Sequence, residues 1–169
     1  MNISDLKKFF SLSDIIQGVV IYPVGDTIAA LILKEFSIYR LLGIAAVGGT
    51  FYALEIPNYF RWIDKKISEN RDILASCKRT GFAVLYFNPF WIARHLFFIK
   101  FFSGTWDAIG WNLMILATWS FLVNIPVSFI ANYLIQNKLP YSWRFFGSSV
   151  FSAVMAVYYA FSEIFFSKF

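Results

Sequence analysis

Three side chains with acid–base chemistry stand inside apolar stretches of this sequence, where charge is costly. Asp26 lies in an apolar run that begins near residue 12, and Arg94 and His95 are adjacent in a run that begins near residue 81. In lipid, an ionised group of this kind costs about 2.5–3.5 kcal/mol at the centre of a helix. Two interpretations stay open. An Asp26–Arg94 pair with His95 as proton carrier would form a charged constriction in a solute path; alternatively, the pair only holds two helices together, with His95 hydrogen-bonded or near the interface.

Further polar side chains occur in two other apolar runs. Glu55 precedes Pro57 by two residues, where it either faces a vestibule or pairs with a nearby loop cation. Asn124 and Asn132 lie in a run near residues 109–136. A buried amide there either bonds across helices or binds a solute.

Signatures of enzyme chemistry are missing from the sequence. It has one histidine and one cysteine, Cys77, so a histidine or thiol metal site cannot be assembled. Paired carboxylates at metal-ligand spacing, a nucleophile elbow and a glycine-rich phosphate loop are also missing. We therefore expect no enzyme, no metal and no cofactor.

The elements that must position these side chains belong in a bilayer. Hydrophobic residues make up 59% of the 169 residues, and only 15% are charged, against about a quarter in a soluble domain. The aromatic fraction of 21% suits lipid-facing surfaces and interfacial belts. The net charge of +5 lies mainly between apolar runs, which argues against nucleic acid as a partner.

The sequence predicts an all-α fold, a polytopic transmembrane helical bundle of about five spans in a single domain, 1–169. A span needs about 20 apolar residues, and these are placed at about 12–33, 41–60, 81–102, 109–136 and 143–166. Prolines predict kinks in four of them, at Pro23, Pro57, Pro89 and Pro126. Residues 61–80 are expected to form a cytoplasmic loop with a short amphipathic helix.

Charge counting predicts the orientation. With the N-terminus in the cytoplasm, ten of the fifteen lysines and arginines fall on the inner side and four on the outer side. The positive-inside rule therefore favours a cytoplasmic N-terminus and an external C-terminus.

Small residues at four-residue spacing indicate close helix packing in two spans. One stripe is Ala45, Gly49 and Ala53, and the other is Ser148, Ser152, Ala156 and Ala160. Each stripe seats either a helix of the same chain or a second protomer, which would make a homo-oligomer.

Several short motifs recur along the chain, and their residues are Tyr39, Arg40, Leu41, Pro57, Tyr59, Arg61, Phe87, Pro89, Trp106, Ile109, Asn132 and Tyr133. Through these residues the sequence resembles the bacterial L-alanine exporter (AlaE) family over roughly residues 14–137. Two departures stand out, because the family has four spans and carries an acidic residue where this chain has Asn132. The resemblance implies export of a small amino acid, L-alanine, across a bacterial inner membrane.

A second set of residues extends into the fifth span and consists of Gly25, Asp26, Ile28, Pro57, Tyr59, Trp62, Ile63, Asp64, Pro126, Ala131, Asn132, Tyr133, Leu139, Pro140 and Arg144. This set resembles the eukaryotic peroxisomal and mitochondrial PMP-type family of channel-like membrane proteins. It implies a passive pore.

The leading expectation is an exporter, and its path is lined by Asp26, Glu55, Arg94, His95, Asn124 and Asn132. The alternatives are a passive pore or a membrane scaffold.

Overall fold

The computed structural model describes residues 11–67 and 72–166, with side chains described to residue 158, and this part of the chain contains helices but no strand. The helices are α1 (Leu12–Ile32), α2 (Ile38–Val47), α3 (Ala53–Lys66), α4 (Ile73–Tyr86), α5 (Pro89–Ser103), α6 (Trp111–Lys138) and α7 (Tyr141–Phe166). A π-helical turn, Gly48–Tyr52, joins α2 to α3, and a 3₁₀ turn, Trp106–Ala108, precedes α6. The all-α prediction is confirmed.

Three helical stretches are both long and apolar enough to cross a membrane. They are Leu12–Ile32, Ile73–Ser103 and Trp111–Lys138. The first and third correspond to the predicted spans near 12–33 and 109–136. Helical segments also cover the spans predicted at 41–60 and 143–166, and the total of five remains a prediction.

The segment predicted as a cytoplasmic loop, 61–80, is helical over much of its described part. Helix α3 continues to Lys66, and α4 begins at Ile73 as the first half of the 73–103 stretch. Ser76, Arg79 and Thr80 of α4 are buried, whereas Lys65, Lys66 and Lys78 are exposed. The segment therefore contains packed helix ends, and its placement on the cytoplasmic side remains a prediction.

The prolines act in two ways. Pro23, Pro57 and Pro126 lie inside helices. Pro89 is instead the first residue of α5, a position that needs no backbone N–H. The preceding Asn88 caps this helix, since its side-chain oxygen accepts from the backbone N–H groups of Phe90 and Trp91 at 2.9 and 3.2 Å. The predicted third span is thus divided into α4 and α5.

The chain forms two compact units. The first unit comprises the described residues up to Ile56 together with those from Phe145 onward. The second unit comprises the described residues from Pro57 to Arg144.

In the first unit, α1 packs against α2 and the π-helical turn through glycines. A Cβ placed on Gly18 would meet the backbone carbonyl of Gly48, and a Cβ on Gly48 would meet that of Gly18. Gly49 faces Val19, and Gly25 faces Ala153 of α7 in the same way. Backbones approach this closely only where side chains are absent. Gly49 of the first predicted small-residue stripe is therefore used within the chain, whereas the contact on α7 is made by Ala153, which lies outside the second stripe.

In the second unit, α4 and α5 both pack along α6. Helix α6 has 28 residues, which gives a length of about 42 Å at 1.5 Å per residue. This matches the roughly 40–45 Å of a bilayer that includes its headgroup regions. Trp111 lies at one end of α6 and Lys138 at the other.

Candidate functional site

The buried charge of the first unit is a closed ion pair. Arg40 Nε donates to Asp26 Oδ2 at 2.8 Å, and Arg40 Nη2 donates to Asp26 Oδ1 at 2.7 Å. Both residues are buried, at 3% and 5% exposure. Glu35, which is half exposed, adds a longer contact of 3.7 Å to Arg40 Nη1. A two-pronged guanidinium–carboxylate contact satisfies both charges and joins the end of α1 to the start of α2.

This pair corrects the expected partner of Asp26. Its carboxylate is bonded by Arg40, which the sequence analysis placed among the outer loop cations, and the Asp26–Arg94 prediction is wrong. Arg94 and His95 lie half-buried on α5 of the second unit, and the His95 ring stacks on Trp91 at 5.7 Å between centroids. Glu55 is half-buried on α3 and belongs to the first unit. The six predicted path residues are therefore divided between the two units.

The most extended polar feature of the second unit runs along α6. Polar side chains occupy every fourth position, at Ser120, Asn124, Ser128, Asn132 and Gln136. Residues four apart are neighbours on a helix surface, so the five form a continuous row, which we call the α6 polar stripe. It covers about 24 Å, most of the roughly 30 Å hydrocarbon thickness. Asn124, Asn132 and Gln136 are buried, and Ser120 and Ser128 are half-buried.

The stripe contains a repeated local arrangement. Asn124 Nδ2 donates to the backbone carbonyl of Ser120 at 2.8 Å, and Asn132 Nδ2 donates to that of Ser128 at 2.9 Å. Each amide thus folds back on the preceding turn and turns its oxygen away from that bond. Asn132 Oδ1 is buried and has no hydrogen-bond partner among the described residues. Such an acceptor is costly unless something fills the position.

At the end of the stripe, an ion pair adjoins a buried donor. Arg144 Nη1 donates to both oxygens of Asp64, at 2.7 and 2.8 Å, and lies 3.4 Å from Gln136 Oε1. Gln136 Nε2 is buried and has no partner within the described parts of the chain. A free donor at Gln136 and a free acceptor at Asn132 consequently lie one helical turn apart.

A second polar seam joins α4 to α6 beside the stripe. Arg79 Nε donates to Asn137 Oδ1 at 3.0 Å, and Asn137 Nδ2 donates to Thr80 Oγ1 at 3.2 Å. Asn137 Nδ2 also contacts the carbonyl of Ser76 at 3.4 Å. These bonds fix α4 against α6.

Sequence reasoning identified Asn124 and Asn132 but missed the stripe. The available signal was the internal repeat Ser-Phe-Leu-Val-Asn at 120–124 and Ser-Phe-Ile-Ala-Asn at 128–132. The copies repeat every eight residues, and in an apolar run too long for a strand this spacing places the polar members along one side of an α-helix. Gln136 continues the same spacing.

Comparison with known proteins supplies no relative. No family model, curated protein or solved structure matches this chain.

Proposed function

We propose that this chain moves a small polar solute, an α-amino acid such as L-alanine, across a bacterial inner membrane along the α6 polar stripe. The observation that carries the proposal is the free acceptor at Asn132 and the free donor at Gln136, both buried on a helix of membrane length. A polar row of this extent is costly in lipid unless it serves a polar occupant.

The chemistry of the stripe suits a zwitterion. The ammonium group of an amino acid would donate to Asn132 Oδ1, and its carboxylate would accept from Gln136 Nε2. Arg144 reinforces the carboxylate end, because its Nη1 bonds to Asp64 and Gln136 and its Nε bonds to the carbonyl of Leu139. Its Nη2 then supplies further donors of the geometry that carboxylates prefer.

In this proposal, the Asp26–Arg40 pair is a structural element. Both charges are already satisfied by each other, so the pair holds the first unit together. His95 is retained as a candidate proton carrier, because an imidazole titrates near physiological pH. Arg94 and Glu55 keep their candidate places in the path.

The test uses purified protein in proteoliposomes loaded with labelled amino acids. We expect saturable efflux by the wild type and a loss of at least about tenfold in Asn132→Leu, since a hydrogen bond to a charged group contributes about 1.5–3 kcal/mol and about 1.4 kcal/mol corresponds to tenfold. Asn132→Leu removes an unsatisfied group and should leave the melting temperature nearly unchanged.

Thr118→Val is the matched control. Thr118 also lies on α6 and bonds back to a carbonyl, that of Met114 at 2.8 Å, but it is off the stripe. Its efflux should equal that of the wild type. Equal efflux by wild type and Asn132→Leu would contradict the assignment of the stripe.

Two other outcomes identify the alternative functions. A passive pore predicts single-channel conductance in planar bilayers and flux that does not saturate. A scaffold predicts no solute flux and a stable membrane-protein partner that co-purifies.

If His95 carries protons, efflux should depend on the proton gradient and lose that dependence in His95→Ala.

A further inference from the structure

Four exposed lysines gather at one end of the second unit. At this end α3 finishes at Lys66, α4 starts at Ile73, α6 finishes at Lys138 and α7 starts at Tyr141. The Arg79–Asn137 bond sets α4 beside the last turn of α6, and the Arg144–Asp64 bond sets α7 beside the last turn of α3. We call this region the lysine end. Its exposed cations are Lys65, Lys66, Lys78 and Lys138.

The acidic groups described at the lysine end already accept hydrogen bonds. Asp64 is bonded to Arg144, and Asp72 caps α4 by accepting from the backbone N–H of Ala75 at 2.6 Å. None of the four lysines forms a salt bridge with a described residue. Among the described residues of this end, the four exposed lysines therefore outnumber the one carboxylate without a cation partner, Asp72, and the surface carries an excess of positive charge.

Two exposed aromatic side chains lie at the lysine end. Trp62 is 40% exposed on α3, and the Lys66 ammonium lies 6.0 Å from the centre of its ring. Tyr141 is also exposed at the start of α7. Tryptophan and tyrosine of this kind mark the level of lipid headgroups, so the lysines stand where phosphate groups lie.

The opposite end of the second unit differs in charge but not in aromatic content. Trp106 and Trp111 are exposed there, and the nearby charges are Lys100 and Asp107, one of each sign. Aromatic belts thus occur at both ends of α6, whereas excess positive charge occurs at one.

We propose that the lysine end binds the phosphate groups of anionic phospholipids. Charge complementarity and the headgroup-level aromatics point to this occupant over a neutral lipid. The inference does not depend on the solute that the stripe carries, and its failure would leave the transport proposal intact.

The test is lipid titration of the purified, delipidated protein, with bound lipids counted by native mass spectrometry. We expect phosphatidylglycerol to be preferred over phosphatidylcholine by more than tenfold at low salt, because each lysine contributes about fivefold. The variant with Lys65→Gln, Lys66→Gln, Lys78→Gln and Lys138→Gln should lose at least tenfold of that preference.

The control is Lys100→Gln, which removes a positive charge at the opposite end of the second unit. It should keep the preference, and an equal loss in this control would overturn the proposal. Retention of the preference by the fourfold variant would overturn it as well.

Two measurements on the wild type keep the proposal falsifiable if the fourfold variant does not fold. Raising KCl to 0.5 M should lower the preference several-fold, since exposed charges are screened, and no change would refute the assignment. Inorganic phosphate at matched ionic strength should not compete, and full displacement by it would show a site for a free anion in place of lipid.

Discussion

Asp26 and Arg40 illustrate how a charge is kept in an apolar helix pair. Between them the chain ends α1 and turns at Lys34, whose φ of 61° is left-handed. This turn brings a residue fourteen positions away back to the carboxylate. Charge counting treated Arg40 as a loop cation, because the sequence shows that a cation follows the span but not that the chain reverses over it.

The ion pair predicts an asymmetry between single and double variants. Arg40→Met should lower the free energy of unfolding by about 3–5 kcal/mol, because it leaves the Asp26 carboxylate buried and uncompensated. The double variant Asp26→Leu/Arg40→Met should recover most of that loss. Unfolding in mixed micelles, followed by fluorescence, measures both.

Glu35→Gln is the control for that experiment. Glu35 is half exposed and 3.7 Å from Arg40, so its replacement should change stability by less than about 1 kcal/mol. A double variant no more stable than Arg40→Met would contradict the pairing as the source of the loss.

At the scale of elements, the sequence predicted the positions of the helices better than the packing of their polar residues. The spans near 12–33 and 109–136 agree with α1 and α6, because long, predominantly apolar composition determines them. The third predicted span, 81–102, covers only part of the apolar helical stretch Ile73–Ser103. Ser76, Arg79 and Thr80 resemble loop residues in composition, and only their bonds to Asn137 show that they belong to a packed helix.

The glycine contacts of the first unit predict that glycine-to-alanine substitutions change stability by different amounts at different positions. Gly48→Ala should destabilise by about 1–3 kcal/mol, because the new Cβ meets the rigid backbone carbonyl of Gly18. Gly81→Ala on α4 should be neutral or stabilising by up to about 1 kcal/mol, since nothing lies near its Cβ position and alanine favours helix. Melting temperatures in detergent measure the effect of each variant. Equal effects would show that α1 does not pack tightly against Gly48.

At the scale of the whole molecule, composition alone predicted a helical membrane protein. Membrane-length apolar helices confirm the membrane-associated class. The candidate site was predicted less well: four of the six path residues lie in the second unit and two in the first. Arrangements between distant segments depend on packing that periodicity does not encode.

Orientation can be tested with the single native cysteine. Cys77 is exposed on α4, next to Lys78 of the lysine end. The positive-inside rule predicts that this end faces the cytoplasm. A membrane-impermeant maleimide should therefore label Cys77 in inverted vesicles and not in right-side-out vesicles.

A matched reporter lies at the other end of the second unit. Thr105→Cys in a Cys77→Ser background places the thiol on the exposed segment between α5 and α6. It should show the opposite labelling pattern. Reversal of both patterns would place the lysine end outside and overturn the predicted topology.

The division of residues 73–103 into α4 and α5 has a consequence for biogenesis. With 14 and 15 residues, each half is only about 21–23 Å long, short of the roughly 30 Å hydrocarbon layer. Neither half can be released from the translocon as an independent span. The two halves must therefore insert together, as the one stretch Ile73–Ser103 that is long and apolar enough to cross, and both then pack along α6.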